Sequence, residues 1–240
     1  SADNSRGSVL IYGLVSGSWT KLGSELNGSQ SFEQFGSSVS MNAAGDRVVI
    51  GAPFMASGYV RIYSYNGSAW TQLGSDIDGE AASDVFGQSV SMNAAGDRVA
   101  IGARLNDGTG NAAGHVRIYT FNGSAWSQLG SDIDGEAASD NFGNAVSMNS
   151  AGDRVAIGAP NNDGTGSNAG HVRVYAYSSN SWSQLGADIN GEAADDASGF
   201  SVSINAVGDR VAIGAFGNDG GGSDAGHVRI YEYASNSWSQ

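Results

Sequence analysis

The sequence FGQSVSMNAAGDRVAIGA, at residues 86–103, decides the fold of this chain. It contains two runs rich in β-branched and other apolar residues, at 86–92 and 98–103, joined by a short turn of Ala, Gly and Asp. In the second run Val99 and Ile101 alternate with smaller residues, and successive side chains of a strand point to opposite faces of its sheet. The stretch therefore predicts two antiparallel strands in a sheet that is apolar or small on both faces.

The same stretch recurs along the chain at a nearly fixed interval. Three markers recur with it: the tripeptide Gly-Asp-Arg from Gly45, Gly96, Gly152 and Gly208, a tyrosine at Tyr12, Tyr63, Tyr119, Tyr175 and Tyr231, and a tryptophan seven residues after each tyrosine. The interval is 51 residues once and 56 residues thereafter, because the loop at residues 53–58 is shorter than its counterpart at 104–114. A period of this size indicates a repeat protein.

Each repeat predicts four strands, which in the copy beginning at Phe86 are residues 86–92, 98–103, 115–121 and 126–133. Asn66-Gly67 and its counterpart Asn122-Gly123 predict type I′ hairpin turns between the third and fourth strands. No segment has a helical period, and a sheet that is apolar or small on both faces packs between similar sheets. We therefore expect an all-β fold, a β-propeller of four-stranded antiparallel blades, with about four blades plus a half blade in this chain.

The repeat also sets the boundaries of a single β-propeller domain or segment over residues 1–240. It predicts a half blade at 8–26 and blades at 35–77, 86–133, 142–189 and 199–240. First and second strands occur four times, whereas third and fourth strands occur five times. We therefore expect the chain to be a segment of a longer repeat protein.

Two short motifs carry a resemblance to a known family. Phe-Gly opens the first strand at Phe35, Phe86 and Phe142, and Gly-Ala-Pro closes the second strand at Gly51 and Gly158. On these motifs the chain resembles the FG-GAP-repeat family of integrin-alpha-like β-propellers, and its third and fourth strands are also similar to kelch blades. The resemblance implies a propeller, usually extracellular, that serves in adhesion or ligand binding.

Composition excludes several other classes of protein. The chain has 24 acidic and 11 basic residues, a formal net charge of -13, which argues against a nucleic-acid partner. It has no cysteine, and no apolar run long enough for membrane insertion. A strongly acidic chain with a single lysine is typical of an extracellular or cell-surface setting, where net charge keeps the surface hydrated.

The loop that leads from each fourth strand to the next blade is acidic. Its carboxylates are oxygen ligands of the kind that Ca²⁺ prefers. The candidate metal ligands are Asp76, Asp78, Glu80 and Asp84 in one loop and Asp132, Asp134, Glu136 and Asp140 in the next. The alternative is that such acids bond backbone N–H groups in turns. The calcium loop that family members often carry between their motifs does not carry over, because residues 93–97 contain one carboxylate.

The loop between the second and third strands repeats an Asn-Asp-Gly motif and ends at a histidine. In an up-and-down blade this loop and the acidic loop emerge on the same face, which we call the loop face. Its candidate ligand- or partner-binding residues are Asp107, His115, Asp163, His171, Asp219 and His227, with Phe54 and Met55, which interrupt the repeat in the shortest loop. The alternative is a turn aspartate and a strand-start histidine with a backbone partner.

Three further series of repeated residues each have both a structural and a functional interpretation. Asn-Gly-Ser sequons at Asn27, Asn66 and Asn122 are candidate N-glycosylation sites or simple turns. One tryptophan per blade predicts a filled outer core, with sugar stacking as the alternative. The arginines that begin the second strand and lie within the third predict ion pairs with aspartate, with anion recognition as the alternative.

These repeats favour a binding module over an enzyme. Catalysis needs a unique set of differently tuned groups, whereas residues 74–84 and 130–140 are identical. We expect a non-catalytic extracellular repeat module that mediates adhesion, protein–protein interaction or assembly through the loop face. Its expected partners are a protein or glycan and further blades or copies of the same repeat. The alternative is a calcium- or glycan-binding lectin-like propeller, with Ca²⁺ the one cofactor it would need.

Overall fold

The computed structural model describes residues 6–240, which form 23 strands and no helix. The described part of the chain thus has no helix that could span a bilayer. The half blade contains β1 (Ser8–Val9), β2 (Tyr12–Val15), β3 (Ser18–Lys21) and β4 (Leu26–Asn27). The first blade contains β5 (Ser38–Met41), β6 (Arg47–Ala52), β7 (Tyr59–Tyr65), β8 (Trp70–Gln72) and β9 (Ile77–Asp78).

Three further blades repeat this arrangement. The second contains β10 (Ser89–Met92), β11 (Arg98–Ala103), β12 (His115–Phe121), β13 (Trp126–Gln128) and β14 (Ile133–Asp134). The third contains β15 (Ala145–Met148), β16 (Arg154–Ala159), β17 (His171–Ser178), β18 (Ser181–Gln184) and β19 (Ile189–Asn190). The fourth contains β20 (Ser201–Ile204), β21 (Arg210–Ala215), β22 (His227–Ala234) and β23 (Ser237–Ser239).

Every pair of neighbouring strands within a blade is antiparallel, and the register repeats from blade to blade. In the second blade the strand order is β10, β11, β12 and β13, with Ala100 opposite Ile118. The third and fourth blades place Ala156 opposite Val174 and Ala212 opposite Ile230. The predicted all-β architecture of repeated four-stranded antiparallel blades is therefore confirmed, and the sheets do not close into a barrel.

The predicted fourth strand is wrong in one respect, because the structure divides it in two. Residues 126–133 were expected as one strand, but β13 and β14 are separate and both pair with β12. Gly130 between them has φ +80°, and a Cβ on it would lie 2.8 Å from Cδ1 of Trp182. The chain bulges here because the tryptophan of the next blade packs against this glycine.

The predicted type I′ turns at Asn66-Gly67 and Asn122-Gly123 are also wrong. Such a turn needs positive φ at both central residues, and Asn66 is not among the residues with positive φ. Its side-chain oxygen instead accepts hydrogen bonds from Ser68 N and Ala69 N, at 3.0 and 2.9 Å, which caps a longer loop. Two-residue turns with positive φ at both positions occur instead at Ser16-Gly17, Ser179-Asn180 and Ser235-Asn236, none of which is Asn-Gly.

Face-to-face packing of successive sheets forms the core. Between the first and second blades, Val60 and Ile62 pack with Val99 and Ile101, and all four side chains are fully buried. Equivalent residues form the next two interfaces, and a further apolar cluster joins the half blade to the first blade. Burying one such aliphatic side chain stabilises the fold by roughly 1.5–3 kcal/mol.

Hydrogen bonds at the blade interfaces end on main-chain groups of the neighbouring blade. The indole N–H of Trp126 donates to the Leu73 carbonyl of the preceding blade at 2.8 Å, and the guanidinium of Arg98 donates to the Gly152 carbonyl of the following blade at 3.1 Å. Near the axis, the Ser89 hydroxyl donates to the Gly143 carbonyl at 2.7 Å. The interface between the first and second blades and that between the second and third each contain all three bonds in addition to their apolar contacts.

The outward faces of the two terminal sheets lack this cover. Val228 and Ile230 of the fourth blade are 69% and 62% exposed, although their counterparts Val116 and Ile118 are fully buried. At the opposite end, side chains of the half blade and of β5 are exposed. The repeat therefore provides matched positions that differ only in whether a neighbouring blade covers them.

We predict that Ile118→Ala lowers the free energy of unfolding by about 2–5 kcal/mol, because it leaves a cavity between two packed sheets. Ile230→Ala occupies the same register position on the uncovered face and should change stability by about 0.5 kcal/mol or less. Urea denaturation of both variants checks this. Equal losses would show that the sheets are not packed as described.

Candidate functional site

Hydrogen bonds between the two sets of loops confirm that they share one face. The Thr109 hydroxyl donates to the Gly135 carbonyl at 2.6 Å, which ties the loop between β11 and β12 to the acidic loop after β14. In the next blade Thr165 makes the same bond to the Gly191 carbonyl at 2.8 Å. On the loop face of both blades, the loop between the second and third strands is therefore hydrogen-bonded to the acidic loop.

The acids of the first predicted cation loop do not converge on a single point. Asp76 accepts hydrogen bonds from Arg61 of its own blade at 3.0 Å, whereas Glu80 forms an ion pair with Arg117 of the next blade. Asp78 lies exposed in β9. Asp76 and Glu80 of this loop thus serve different partners.

Asp84, the last acid of that loop, is buried. Its carboxylate accepts a hydrogen bond from Asn106 Nδ2 at 2.8 Å and another from the backbone N–H of Ala81 at 3.3 Å. The backbone bond agrees with the turn interpretation of this residue. Asp84 therefore anchors the acidic loop to the loop between β11 and β12.

The second acidic loop repeats this division of roles. Asp132 pairs with Arg117, Glu136 pairs with Arg173, Asp134 is exposed, and the buried Asp140 accepts a hydrogen bond from Asn162. The cation prediction for these eight acids stays a prediction, since the structure shows where they lie and not what they bind. Their placement nevertheless shows two of these acids on one arginine, because Glu80 and Asp132 both contact Arg117.

In the third blade Arg173 lies between two carboxylates from different loops. It donates to Asp188 of its own blade at 2.8 Å and also to Glu136 of the preceding loop. These hydrogen bonds lower the pKa of Asp188 to about 2 and lower the pKa of Glu136. The ion pair therefore crosses the blade boundary and fixes the acidic loop against the next blade.

His171 lies beside this ion pair. It is 1% exposed, its Nδ1 is 3.9 Å from Glu136 Oε1, and neither ring nitrogen has a hydrogen-bond partner. The backbone partner that we expected for this ring is absent. Burial, and then the charge of Arg173, lower the pKa of His171 to about 4, so the ring is neutral at pH 7.

The other histidines repeat this position. Nδ1 of His115 lies 4.0 Å from Glu80, and that of His227 lies 3.8 Å from Glu192. The three histidines thus lie on three different blades, and each faces an acid of the loop that precedes its blade. His115 is as buried as His171, and burial also lowers its pKa, whereas the side chain of His227 is 25% exposed.

The aspartates of the loops between second and third strands organise their own turns. Asp107, Asp163 and Asp219 are all exposed, and each accepts a backbone hydrogen bond from the residue five positions later, at 2.7 to 2.8 Å. One oxygen of each carboxylate is thus engaged locally. The rest of each side chain lies at the surface of the loop face.

Phe54 and Met55 lie in the short loop of the first blade. Phe54 is 47% exposed and Met55 is partly buried, so their predicted role in a contact surface remains a prediction. In this blade Tyr59 occupies the position of the histidine and packs under the Arg61 guanidinium, 4.7 Å from the ring centroid. Glu33, which is fully buried, occupies the position of Asp84.

The tryptophan series packs as expected at four of its five positions. Trp70, Trp126, Trp182 and Trp238 donate to leucine carbonyls of the preceding blade at 2.7 to 2.9 Å. Trp19 is 73% exposed.

The three Asn-Gly-Ser sequons differ in their structural setting. Asn27 lies in β4, whereas Asn66 and Asn122 lie in exposed loops.

The predicted ion pair with aspartate is confirmed for Arg61, Arg117 and Arg173 of the third strands, whereas Arg229 pairs with Glu192. The prediction is wrong for most of the arginines that begin the second strands. Arg47, Arg98 and Arg154 donate to glycine carbonyls of the next blade instead. Arg210 has no following blade in the described chain and pairs with Glu232 at 3.1 Å. The first three arginines differ from the prediction because the carbonyl of a turn glycine in the next blade, and not an acid, lies opposite each of them.

Sequence reasoning missed a series of asparagines that hold the turns together. In the second blade, Asn93 Oδ1 accepts hydrogen bonds from the backbone of Asp97 and Arg98, at 3.0 Å, and its Nδ2 donates to the Asp97 carboxylate at 2.8 Å. The recurrence of an asparagine four residues before the Asp of every Gly-Asp-Arg was the available signal.

We predict that stability falls as the pH is lowered from 6.5 towards 4. Unfolded His171 binds a proton near pH 6.5 and folded His171 only near pH 4, so the unfolded state binds more protons in this window. The loss from this residue is roughly 3 kcal/mol. His171→Gln should flatten the dependence in urea titrations at each pH. An unchanged slope would contradict the buried neutral ring.

Comparisons with known proteins agree with this architecture. The fold is similar to that of Kuenenia stuttgartiensis hydrazine synthase, with a TM-score of 0.55 and 9% identity over 89% of this chain and 51% of that chain. It is also similar to a functionally unknown protein from Desulfotomaculum acetoxidans DSM 771, with a TM-score of 0.64 and 9% identity over 98% of this chain and 62% of that chain. Such low identity shows the fold alone.

The chain thus spans about half to three fifths of these structures, and no protein of curated function matches it. A family model described as FG-GAP repeat matches residues 76–119 and 132–175. Each matched segment begins in an acidic loop and ends in the third strand of the following blade. The resemblance drawn from the Phe-Gly and Gly-Ala-Pro motifs is therefore confirmed for these two segments, which match the FG-GAP repeat model within a chain of repeated four-stranded antiparallel blades.

Proposed function

We propose that this chain is a non-catalytic repeat module of an extracellular or cell-surface protein, and that it mediates adhesion or assembly by binding a protein or glycan on its loop face. The observation that carries the proposal is the loop face itself. Its loops are fixed by buried carboxylates and ion pairs that repeat from blade to blade. A row of rigid and nearly identical loops suits multivalent binding, in which several weak contacts add up to one firm attachment.

The way the ionisable groups are used supports binding rather than catalysis. Glu136 and Asp188 both accept hydrogen bonds from Arg173, and the neutral His171 beside them is shielded from solvent. The same set recurs in the second blade around Arg117. Groups that are neutralised by their neighbours and repeated in each blade hold a surface in shape, and they leave its exposed residues to meet a partner.

The chemistry of the exposed residues indicates the kind of partner. The loops present the exposed Asp107 and Asp163 and small residues, together with Thr109 and Thr165, whose hydroxyl hydrogens are used within the loop face and whose hydroxyl oxygens can still accept. A formal net charge of -13 attracts a basic protein surface, and the carboxylates and hydroxyls also suit the hydroxyl groups of a glycan. The sequons at Asn66 and Asn122 lie in exposed loops, where a secreted protein could carry glycans.

We predict that the triple variant Asp107→Asn, Asp163→Asn, Asp219→Asn loses at least tenfold in affinity for a basic or glycan probe captured on an array. Asparagine keeps the oxygen that each turn requires, so the fold should not change. The control is Glu25→Gln with Glu232→Gln, which removes exposed charge elsewhere. Because the control removes two charges and the triple variant three, biolayer interferometry compares the loss per charge removed. An equal loss per charge would point to net charge rather than to the loop face.

Cation binding is the second candidate function, and one observation favours it. Donor atoms of Glu136, His171 and Asp188 lie within 4.8 Å of one another, and Glu80, His115 and Asp132 repeat the cluster. Three mixed oxygen and nitrogen ligands around a small space suit a divalent ion. Against this, the guanidinium of Arg173 already bridges the two carboxylates, so a cation would have to displace it.

We therefore predict that millimolar CaCl₂, added to EDTA-treated protein, changes the melting temperature by about 1 °C or less, because no favourable site is vacant beside the arginine. Differential scanning calorimetry measures this, with MgCl₂ at equal ionic strength as the control. A calcium-specific rise of several degrees, reversed by EDTA, would establish the cation role instead.

A further inference from the structure

The arginine of each third strand lies beside the acidic loop that precedes its blade. In three blades a glutamate of that loop contacts the guanidinium, and the pairs are Glu80 with Arg117, Glu136 with Arg173 and Glu192 with Arg229. In the first blade the same loop position holds Ser29, and the arginine is Arg61. The first blade thus has a serine where the other three blades have the glutamate that faces this arginine.

The guanidinium of Arg61 is well bonded on one side only. Its Nε and Nη2 each donate to the Asp76 carboxylate at 3.0 Å. Towards the acidic loop, Nη2 reaches the hydroxyl of Ser29 at 3.4 Å, which is long for a hydrogen bond. In the third blade the same nitrogen of Arg173 donates to two carboxylates. Arg61 therefore keeps donor capacity that its counterpart uses.

A second donor lies beside Arg61. Tyr59 occupies the strand position that His115 has in the second blade. It is 8% exposed, and its hydroxyl has no hydrogen-bond partner among the described residues. Burial raises the pKa of Tyr59 to about 12, against the opposing charge of Arg61, so the hydroxyl keeps its proton and can donate.

The complete blades show where a side chain at this strand position reaches. In the second blade, Nδ1 of His115 lies 4.0 Å from the carboxylate of Glu80. In the first blade a tyrosine hydroxyl replaces the imidazole, and the short, exposed side chain of Ser29 replaces the glutamate. Two donors, one on Arg61 and one on Tyr59, thus border the place where the other blades hold a carboxylate.

The acids nearby are compatible with a further carboxylate. Glu33 is fully buried, and its Oε2 accepts a hydrogen bond from the Ser29 hydroxyl at 3.4 Å. In the second blade the buried Asp84 has the equivalent position, and Glu80 still pairs with Arg117. The net charge of -13 opposes an anion at long range, but physiological salt largely screens charges that are more than about 8 Å apart.

We propose that Arg61 and Tyr59 bind one carboxylate of a partner, at the place that glutamate fills in the other blades. Each of those glutamates follows a glycine in an exposed loop, so we assign the occupant to a polypeptide that presents a glutamate side chain. Hydrogen bonds between arginine and a carboxylate are roughly twice as strong as neutral ones. A single such group can therefore orient a partner on the first blade.

The test uses the full chain and a small probe of this chemistry, N-acetylglutamate N-methylamide. Titration at physiological ionic strength should shift the NMR signal of the Arg61 Nε–H group saturably, whereas the signals of Arg117 and Arg173 should not move. The uncharged glutamine analogue of the probe should bind at least tenfold more weakly. Equal binding of both probes, or no saturable shift at Arg61, would overturn the proposal.

Variants of the chain locate the site. Ser29→Glu should weaken probe binding at least tenfold, because the new carboxylate occupies the guanidinium of Arg61 from within the chain. Ser24→Glu adds the same charge at another exposed serine and should leave the affinity within twofold. Tyr59→Phe keeps the ring and should weaken binding at least threefold. Equal losses in the two glutamate variants would show an effect of net charge and overturn the site.

Two further measurements separate this site from the function proposed above. The site takes a group of opposite charge from that of a basic partner, so it does not rest on that proposal. The triple Asp→Asn variant of the loop face should bind the probe with unchanged affinity, and loss of binding there would overturn a separate site. Glucuronate, a sugar carboxylate, should bind more weakly than the glutamate probe, and tighter binding would overturn the assignment to a polypeptide.

Discussion

The structure depends on each sheet being covered on both faces by its neighbours. In the second blade the valine and isoleucine of β11 face the preceding blade and those of β12 face the following blade, and no single blade could bury both sets by itself. Stability therefore belongs to pairs of blades, as in other repeat proteins. This constraint explains why the register is the same in each blade, and why equivalent residues range from fully buried to two-thirds exposed according to their position in the row.

The loop face follows from the same stacking. Glu80 and Glu136 belong to the loops between blades, yet their ion pairs are made with arginines of the following blade, so the loops are positioned by the packing beneath them. The charged groups are part of the support of this face, and the exposed aspartates and threonines are its outer surface. Rigid support of this kind limits the conformational entropy that is lost when a partner binds.

The sequence allowed the strands, their order and the repeat to be predicted, because these depend on local alternation and on spacing. The segment Phe86–Ala103 shows both the local alternation and the recurring spacing. It did not reveal that Arg98 reaches a glycine carbonyl while Arg117 reaches two acids, because the outcome depends on what the adjacent blade places opposite each arginine. The turn at Asn66 was mispredicted for a local reason: the amide oxygen of Asn66 caps two backbone N–H groups, and this bonding outweighs the preference of Asn-Gly for a tighter turn.

The bonds between blades have a consequence for how such a protein can change over generations. The indole of each packed tryptophan and the guanidinium of Arg47, Arg98 and Arg154 end on carbonyl oxygens of the main chain, which every amino acid provides. A substitution of the residue that carries such a carbonyl therefore leaves the bond in place, so these contacts tolerate sequence divergence between neighbouring blades. The apolar clusters and the Glu80–Arg117 and Glu136–Arg173 pairs, in contrast, need a matching side chain on each blade.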